Sequence, residues 1–469
     1  MVSKEELRKL DKEELVDLVY NLSIKVDALT RMVEALQEEI KRLKTPKNSG
    51  NSSLPPAQDL FRYKNQSLRG KSDKKSGGQT GHKGETLRMW AAPDKIVVHT
   101  PEAQCPCCGR IHTGDPGQMV GKRQVIDIPF IQASVVEHQV YQKTCSCGHV
   151  STGNFPAEVT APVQYGNNLI ALTAYLSSRQ YVPYSRLTEL IKSITNISMS
   201  EGTVFNLLNK AARMVLPVYE GIKKEISNAT TVGGDETGVK VEKNKFWAWT
   251  WQTLRATYIV ISESRGFVTV ENTFPGGFGN ATFVSDSLSA QLKTPARRHQ
   301  LCLAHLLREL NYFEQLYHQK WATEMKDLLT RAIKLKDTMT PEQYTGPFDQ
   351  RGAVIKEFDI LVNQTLPHTV SKMLPFQKRL KKRKNQVFNF LFYSDVPYDN
   401  NGSERAIRNV KVKQKVSGSF RSEQGAEIFA ILRSVVDTII KKGGNPFESI
   451  RFAITVAAGR NEFRRSQRF

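Results

Sequence analysis

Three acidic residues stand in settings suited to phosphodiester chemistry. Asp235 lies in GGDETGVKV after the small, β-prone run ATTVGG, Asp286 ends the apolar run ATFVS in FVSDSLSAQ, and Glu404 opens a helix crowded with Arg and Lys in DNNGSERAIR. Carboxylates brought together from two strand ends and a helix can hold two divalent cations, which clamp the attacking and leaving oxygens of an in-line phosphoryl displacement. Asp286 falls at the carboxyl end of an apparent strand, where open α/β sheets bind ligands. Glu404 has Asn400, Asn401, Arg405 and Arg408 beside it, a mixture of metal-compatible and phosphate-compatible groups. Oxygen donors that leave room for water suit Mg²⁺ and accommodate Mn²⁺. An arbitrary trio of acids in so long a chain would be unremarkable; the context of these three sets them apart.

A second constellation is built from sulfur. Cys105-Pro-Cys107-Cys108-Gly precedes Cys145-Ser-Cys147-Gly, with RQVIDIPF and ASVVEHQVYQKT between them reading as strands. Four thiolates on two glycine-turned knuckles match a closed, structural Zn²⁺ ribbon, with Cys105, Cys108, Cys145 and Cys147 as ligands. The C-x-C spacing of the second knuckle leaves Cys107 and His149 as substitute ligands.

Composition narrows the partner. The 469 residues carry 67 Lys and Arg against 46 Asp and Glu, a net charge of +21. Such an excess implies a polyanion, ordinarily nucleic acid. A membrane partner is disfavoured, because neither a signal-peptide core nor an apolar run of membrane-spanning length is present. Six cysteines, five of them between Cys105 and Cys147, do not resemble a disulfide framework. A cytoplasmic setting is expected.

An α+β multidomain chain must position these groups. In residues 1–44, Val19, Val26, Val33 and Ile40 recur at heptad spacing, as do Leu15, Leu22, Leu29, Leu36 and Leu43. β-Branched residues at a with leucine at d favour a parallel two-stranded coiled coil, hence a homodimer. Residues 45–88 read as a flexible basic arm or linker, and residues 89–160 as the zinc-ribbon domain. Residues 161–225 form a helical, helix-turn-helix-like module whose third helix begins at the capping pattern Ser198-Met-Ser-Glu201 and offers Thr203, Asn206, Asn209 and Lys210 to DNA. From residue 226 the period changes to two, and Trp247, Trp249 and Trp251 share one face of a strand. The order β-β-β-α-β, with acids on its first and fourth strands, suits a ribonuclease H-like core over 226–425. A helical insertion at about 295–385 separates Asp286 from Glu404, and a helical region, 426–469, ends the chain. Within the insertion Cys302 and His305 share a helix face with Arg308 near them, as structural or accessory groups more readily than as metal ligands. Glu404, Arg408, Lys411 and Lys415 lie along one face of the last catalytic helix, so Arg405, Arg408, Lys411, Lys413 and Lys415 are expected near phosphates. Six of the seven residues from Lys378 to Lys384 are also basic.

Taken in order, the zipper, KNSGNSS, GGQTGHKG, CPCCG, CSCG, YGNNLIALTAYLSSRQYVPYSRL, SEGTVFN, DETGV, SDSLSAQ, CLAHLLREL and DNNGSERAIRNVKVKQKVSGSFRSEQGAEIFAILRS resemble the IS66-family transposases of bacterial insertion sequences. The resemblance implies that Asp235, Asp286 and Glu404 are the DDE residues and that Cys302 and His305 match a C-x₂-H element. Ser287 stands where glycine often follows the second aspartate. The implied activity is binding of terminal inverted repeats, cleavage at the element ends and joining of the freed 3′-OH to target DNA. Accessory proteins of the same element are plausible partners. The alternatives are a DNA-binding repressor or domesticated transposase that does not cut, and a nuclease without strand transfer.

Overall fold

The computed structural model describes residues 11–48, 50–52, 87–100, 102, 104–111, 118–128, 131–156 and 158–466. GGQTGHKG and most of the basic arm lie outside them. The described residues fall into two units: a smaller one drawn from residues 66–134 with Ile194–Asn196, and a larger one holding the rest.

In chain order, the helices of ten or more residues are α1 (Lys12–Lys44), α2 (Asn167–Ser178), α3 (Tyr184–Thr195), α4 (Glu201–Ser227), α5 (Leu303–Tyr317), α6 (Lys320–Thr338), α7 (Asp349–Asn363), α8 (Met373–Lys382), α9 (Asn401–Ser417), α10 (Glu423–Lys441) and α11 (Pro446–Ser466). The strands are β1 (Gln142–Thr144), β2 (Val150–Thr152), β3 (Thr231–Val241), β4 (Asn244–Gln252), β5 (Thr257–Ser262), β6 (Phe278–Ser285) and β7 (Ala296–Leu301). The architecture is mixed α+β. Helix α1 opens on a reciprocal cap, Asp11 with Glu14. Its heptad residues, from Leu15 to Leu43, are all exposed, which fits a coiled-coil strand. The described residues of KNSGNSS form a turn in which Asn48 Oδ1 accepts from the amides of Gly50 and Asn51. That turn docks on α5, where Asn51 donates to Gln315 (2.8 Å) and Asn311 donates to the Gly50 carbonyl (3.2 Å).

Five strands in the order β5-β4-β3-β6-β7 make the central sheet. The pairs β3–β4 and β4–β5 are antiparallel, whereas β3–β6 and β6–β7 are parallel. Alternation divides the side chains between two faces. On one face Val232, Trp249, Trp251, Tyr258 and Phe283 join a core with α2, α3, α4, α10 and α11. The helices read from sequence as a DNA-binding module therefore share a hydrophobic core with the sheet. On the other face Val239, Val241, Phe246, Ala248 and Ile259 pack under Val410 of α9 and Phe429 of α10. The helices α5 to α8 enclose a core of their own, containing Leu310, Trp321, Phe358 and Phe376.

The free edge of β5 is covered by polar groups. Ser434 and Thr438, one turn apart on α10, accept from the amides of Ile259 and Thr257, and Tyr219 donates to the Ile259 carbonyl. Side chains thus replace the missing strand, which blunts an edge otherwise open to pairing. Beneath them, fully buried Arg433 donates to Asp437 and to the Ser178 carbonyl, while Asp437 accepts from Asn409 and Asn409 from Tyr181. This network ties α2, α9 and α10 together.

Two glycines in β3 permit close packing. A Cβ at Gly233 would lie 2.8 Å from both Asn400 Oδ1 and Ser403 Oγ of the α9 N-terminus, and one at Gly234 would lie 2.4 Å from the Phe283 ring. Overpacking of this kind costs about 1–3 kcal/mol. Gly234→Ala should accordingly lower stability by about that amount in chemical denaturation, and adding Phe283→Leu to it should recover part of the loss.

Candidate active site

The sheet register sets the two aspartates side by side. In the parallel pair β3–β6, Gly233 is opposite Val284. Continued by two residues, the same register brings Asp235 level with Asp286, which directly follows β6. Adjacent strands lie about 4.8 Å apart. The strand alternation turns Asp235 to the face covered by α9. Asp286 is fixed by its own turn, its Oδ1 accepting from the Leu288 amide at 2.9 Å.

Glu404 arrives in the first turn of α9. The residue preceding that helix, Asn400, is 2% exposed and donates to the Gly234 carbonyl at 2.7 Å, immediately before Asp235. Ser403 Oγ donates to Asn400 Oδ1, and the Asn400 amide donates to Cys302 Sγ. Three segments distant in sequence are thereby locked at one point. The Glu404 carboxylate itself pairs with Arg308 (3.1 Å) and more loosely with Arg408 (3.7 Å).

Electrostatics couples the trio. Burial holds the Asp235 carboxyl well above the ordinary aspartate range, and the charges of Glu236, Asp286 and Glu404 reinforce the shift. Burial and the Asp286 charge push Glu236 up to about 7, although Arg265 donates to it at 2.8 Å and Gln291 also donates. Crowded carboxylates of this kind stay partly protonated or recruit cations. The donor set is hard oxygen on a partly enclosed strand end, which fits a divalent cation. Among the described residues, however, no three His, Cys, Asp or Glu side chains converge closely enough to hold one. The aspartates are adjacent, and the third carboxylate is turned to Arg308.

Cys302 and His305 sit at the base of this arrangement. Cys302 precedes α5 and is 1% exposed, and burial raises its thiol to about 12, so it serves as a neutral hydrogen-bond partner and not as a thiolate ligand. His305 Nε2 lies 3.3 Å from Arg308, and its buried Nδ1 has no partner among the described residues. Burial first, then the Arg308 charge, lowers its basicity.

The remaining candidates distribute as follows. Arg405, Arg408, Lys411 and Lys415 are exposed on α9, with Lys411 also donating to the Gly238 carbonyl. Lys413 is 7% exposed, on the buried face with Ala406 and Val410, and burial lowers it to about 8. On α4, Asn206 and Lys210 are exposed; Thr203 and Asn209 are half-buried, and the Thr203 amide is held by Ser200. In the smaller unit the Cys105 amide donates to the Arg110 carbonyl and the Gly109 amide to the Cys105 carbonyl. The larger unit repeats that turn, with Cys145 to His149 and Gly148 to Cys145. Both turns place glycine at positive φ, and their hydrogen bonds lower the Cys105 and Cys145 thiols. Between the knuckles, the described parts of RQVIDIPF and ASVVEHQVYQKT form only the three-residue β1, paired with β2. Among the described residues there, Val125, Ile128 and Val135 are exposed.

Sequence reasoning missed the seat made by Gly233, Gly234 and Ser403, and the partners Arg265 and Gln291 of Glu236. Only the acidic doublet Asp235-Glu236 hinted at the latter.

The raised carboxyls dictate a pH dependence. A carboxyl whose folded value exceeds its unfolded value favours folding at low pH, and that contribution disappears as pH rises through the folded value. For Glu236 the window runs from 4.5 to about 7. In chelator-treated protein the site's contribution to thermal stability should therefore fall from pH 5 to pH 8, and Asp235→Asn should raise the melting temperature at pH 8. Added Mg²⁺ should stabilise the wild type at pH 8 and leave an Asp235→Asn/Asp286→Asn variant unmoved; equal shifts in both would remove the assignment.

Comparison with known proteins shows the family. Residues 162–428, more than half of the chain and the whole stretch holding the three acids, match the family described as Transposase IS66 family. The chain is also similar to the uncharacterized protein y4hP of Sinorhizobium fredii, with 23% identity over 396 residues that cover 74% of this chain and 70% of that one. No helix among the described residues is long and apolar enough to cross a membrane. On the strength of the matched span, the chain belongs to the IS66 family of transposases.

Proposed function

We propose that the protein is a DDE transposase that binds the terminal inverted repeats of an insertion sequence, cleaves at the element ends and joins the freed 3′-OH to target DNA. What supports this reading is that Asp235 lies on β3, that Asp286 directly follows β6, the parallel neighbour of β3, and that the helix of Glu404 is pinned to β3. The strand order, an antiparallel meander continued by two parallel strands, supports a ribonuclease H-like core.

Asp235, Asp286 and Glu404 are the residues that would hold Mg²⁺ or Mn²⁺. Bound there, two such ions would supply Lewis acidity to the attacking and leaving oxygens. Asp235, on the face of β3 covered by α9, would hold a cation together with Asp286 and Glu404. Arg308, paired with Glu404 at 3.1 Å, would supply a positive charge beside the bound phosphate. Cys302 and Asn400 hold the first turn of α9 in place through both stages, hydrolysis and then attack by the 3′-OH. Arg405, Arg408 and Lys415 extend along the exposed side of α9 as phosphate contacts, and Asn206 and Lys210 project from α4 away from its core.

Two assembly features belong to the same reading. The exposed heptads of α1 fit a parallel homodimer, which would hold two element ends together. The sequence spacing of Cys105, Cys108, Cys145 and Cys147 is what supports a structural Zn²⁺.

Cleavage and strand-transfer assays with Mg²⁺ on DNA carrying the repeats that flank the gene test the activity. Asp235→Asn, Asp286→Asn and Glu404→Gln should each lower both reactions by roughly 10²-fold or more while repeat binding persists. Wild-type protein that binds but never cuts would instead be a repressor, and cutting without joined products would make it a nuclease. Deletion of residues 1–44 should halve the mass in light scattering, and Cys105→Ser or Cys145→Ser should lower the zinc content of the purified protein.

A further inference from the structure

Two clefts adjoin β7 and the insertion. The larger, about 670 Å³, is lined by Arg297, Arg298 and Lys384 among others and contains none of the three acids. The smaller, about 530 Å³, begins at Ser287, the residue after Asp286. Its walls are Ser287, Ser289 and Lys293 on one side and Lys378, Lys382 and Arg383 from α8 and its end on the other. These residues come from two segments far apart in sequence, so folding has gathered the cations.

Several charges at the cleft are already satisfied. Arg379, also in its wall, pairs with both carboxylate oxygens of Glu309 at 2.6 and 2.7 Å, and Arg383 donates to Gln386. Lys293, Lys378 and Lys382 are exposed and have no ion-pair partner among the described residues. Three like charges facing one cleft repel each other, and an anion entering it relieves that repulsion. Ser287 and Ser289 add hydroxyl donors, and Leu292 adds an apolar surface on which a sugar could rest.

We infer that this cleft is a binding site for the sugar-phosphate backbone of a DNA strand as it enters or leaves the catalytic centre. The inference rests on the proposed function and deepens it, since it assigns a strand path beside Asp286 through residues other than the α9 arginines. Its chemistry is shared by the element end and the target duplex. Phosphate contacts of this type position a strand without reading its sequence.

The test measures DNA affinity in Asp235→Asn full-length protein, so that no cutting is required. Two probes are used: a short duplex ending in the repeat that flanks the gene, and a duplex of random sequence. In the combined variant Lys293→Gln/Lys378→Gln/Lys382→Gln, the slope of log K against log salt should become shallower by about 2 to 3, given about 0.9 per phosphate contact in B-DNA. A control with Lys320→Gln/Lys334→Gln/Lys356→Gln, which removes the same charge from exposed positions outside the cleft, should change the slope by less than about 1. Loss confined to the random duplex assigns the cleft to target DNA, and loss confined to the repeat probe assigns it to the element end. An unchanged slope with both probes, or one matched by the control, overturns the inference. A wild type that cuts and joins while the cleft variant keeps its slope leaves the transposase reading standing and removes only the cleft. A shallower slope in a protein that never cuts does the reverse.

Discussion

The hydrogen bond from Asn400 to the Gly234 carbonyl joins the helix of Glu404 to the strand of Asp235, and the candidate site depends on that seat. It exists because β3 has no side chain at 233, where a Cβ would strike Asn400 and Ser403. Glycine in a strand interior weakens the strand, and here the loss accompanies a close approach of backbone to helix. The remaining polar atoms of Asn400 are spent on Ser403 and Cys302, so the buried amide leaves little unsatisfied. The Arg433–Asp437–Asn409 network supports α9 further along. Removing one partner of a buried ion pair is strongly destabilising, so this network fixes position at high stakes.

A tension between stability and chemistry follows. Asp235, Glu236 and Asp286 are crowded together, and without a cation their charges oppose one another. The protein meets the strain with counter-charges placed around the group: Arg265 on Glu236, and Arg308 with Arg408 on Glu404. Arg308 is backed by His305, which burial keeps from competing for the carboxylate as a second cation. The C-x₂-H element thus holds the wall of the site, Cys302 through the α9 cap and His305 through Arg308.

What the sequence made legible was local. The acid contexts, the heptads of α1 and the glycine-turned cysteine pairs are each written within a dozen residues or so, and short-range pattern suffices to find them. The seat of α9 was not legible, because Gly233 and Asn400 meet only through tertiary folding and neither residue type is diagnostic alone. Lys413 was a different case. Its helical phase with Ala406 and Val410 marks a buried face, and charge patterning along the helix drew attention away from it. The docking of α2 to α4 on the sheet was hidden because amphipathic helices look alike whether they close a small module or cover a large core. The turn at Asn48 was masked by composition: Asn, Ser and Gly fit a linker equally well, and only the contact with α5 makes it ordered.

Helix α5 connects the two ends of the argument. Its first two turns carry His305 and Arg308 against the candidate site, and its last two turns carry Asn311, Gln315 and Tyr317, which hold the turn after α1 and Glu38 of α1 itself. A helix of 15 residues spans about 22 Å at 1.5 Å per residue. It is packed along its length by Leu303, Leu307, Leu310 and Phe313, all buried, so it behaves as a strut more than a hinge. In the proposed dimer the coiled coil therefore leads through a rigid helix to the residue that restrains Glu404. The Arg308–Glu404 pair, with the looser contact of Arg408, sets where the third carboxylate points.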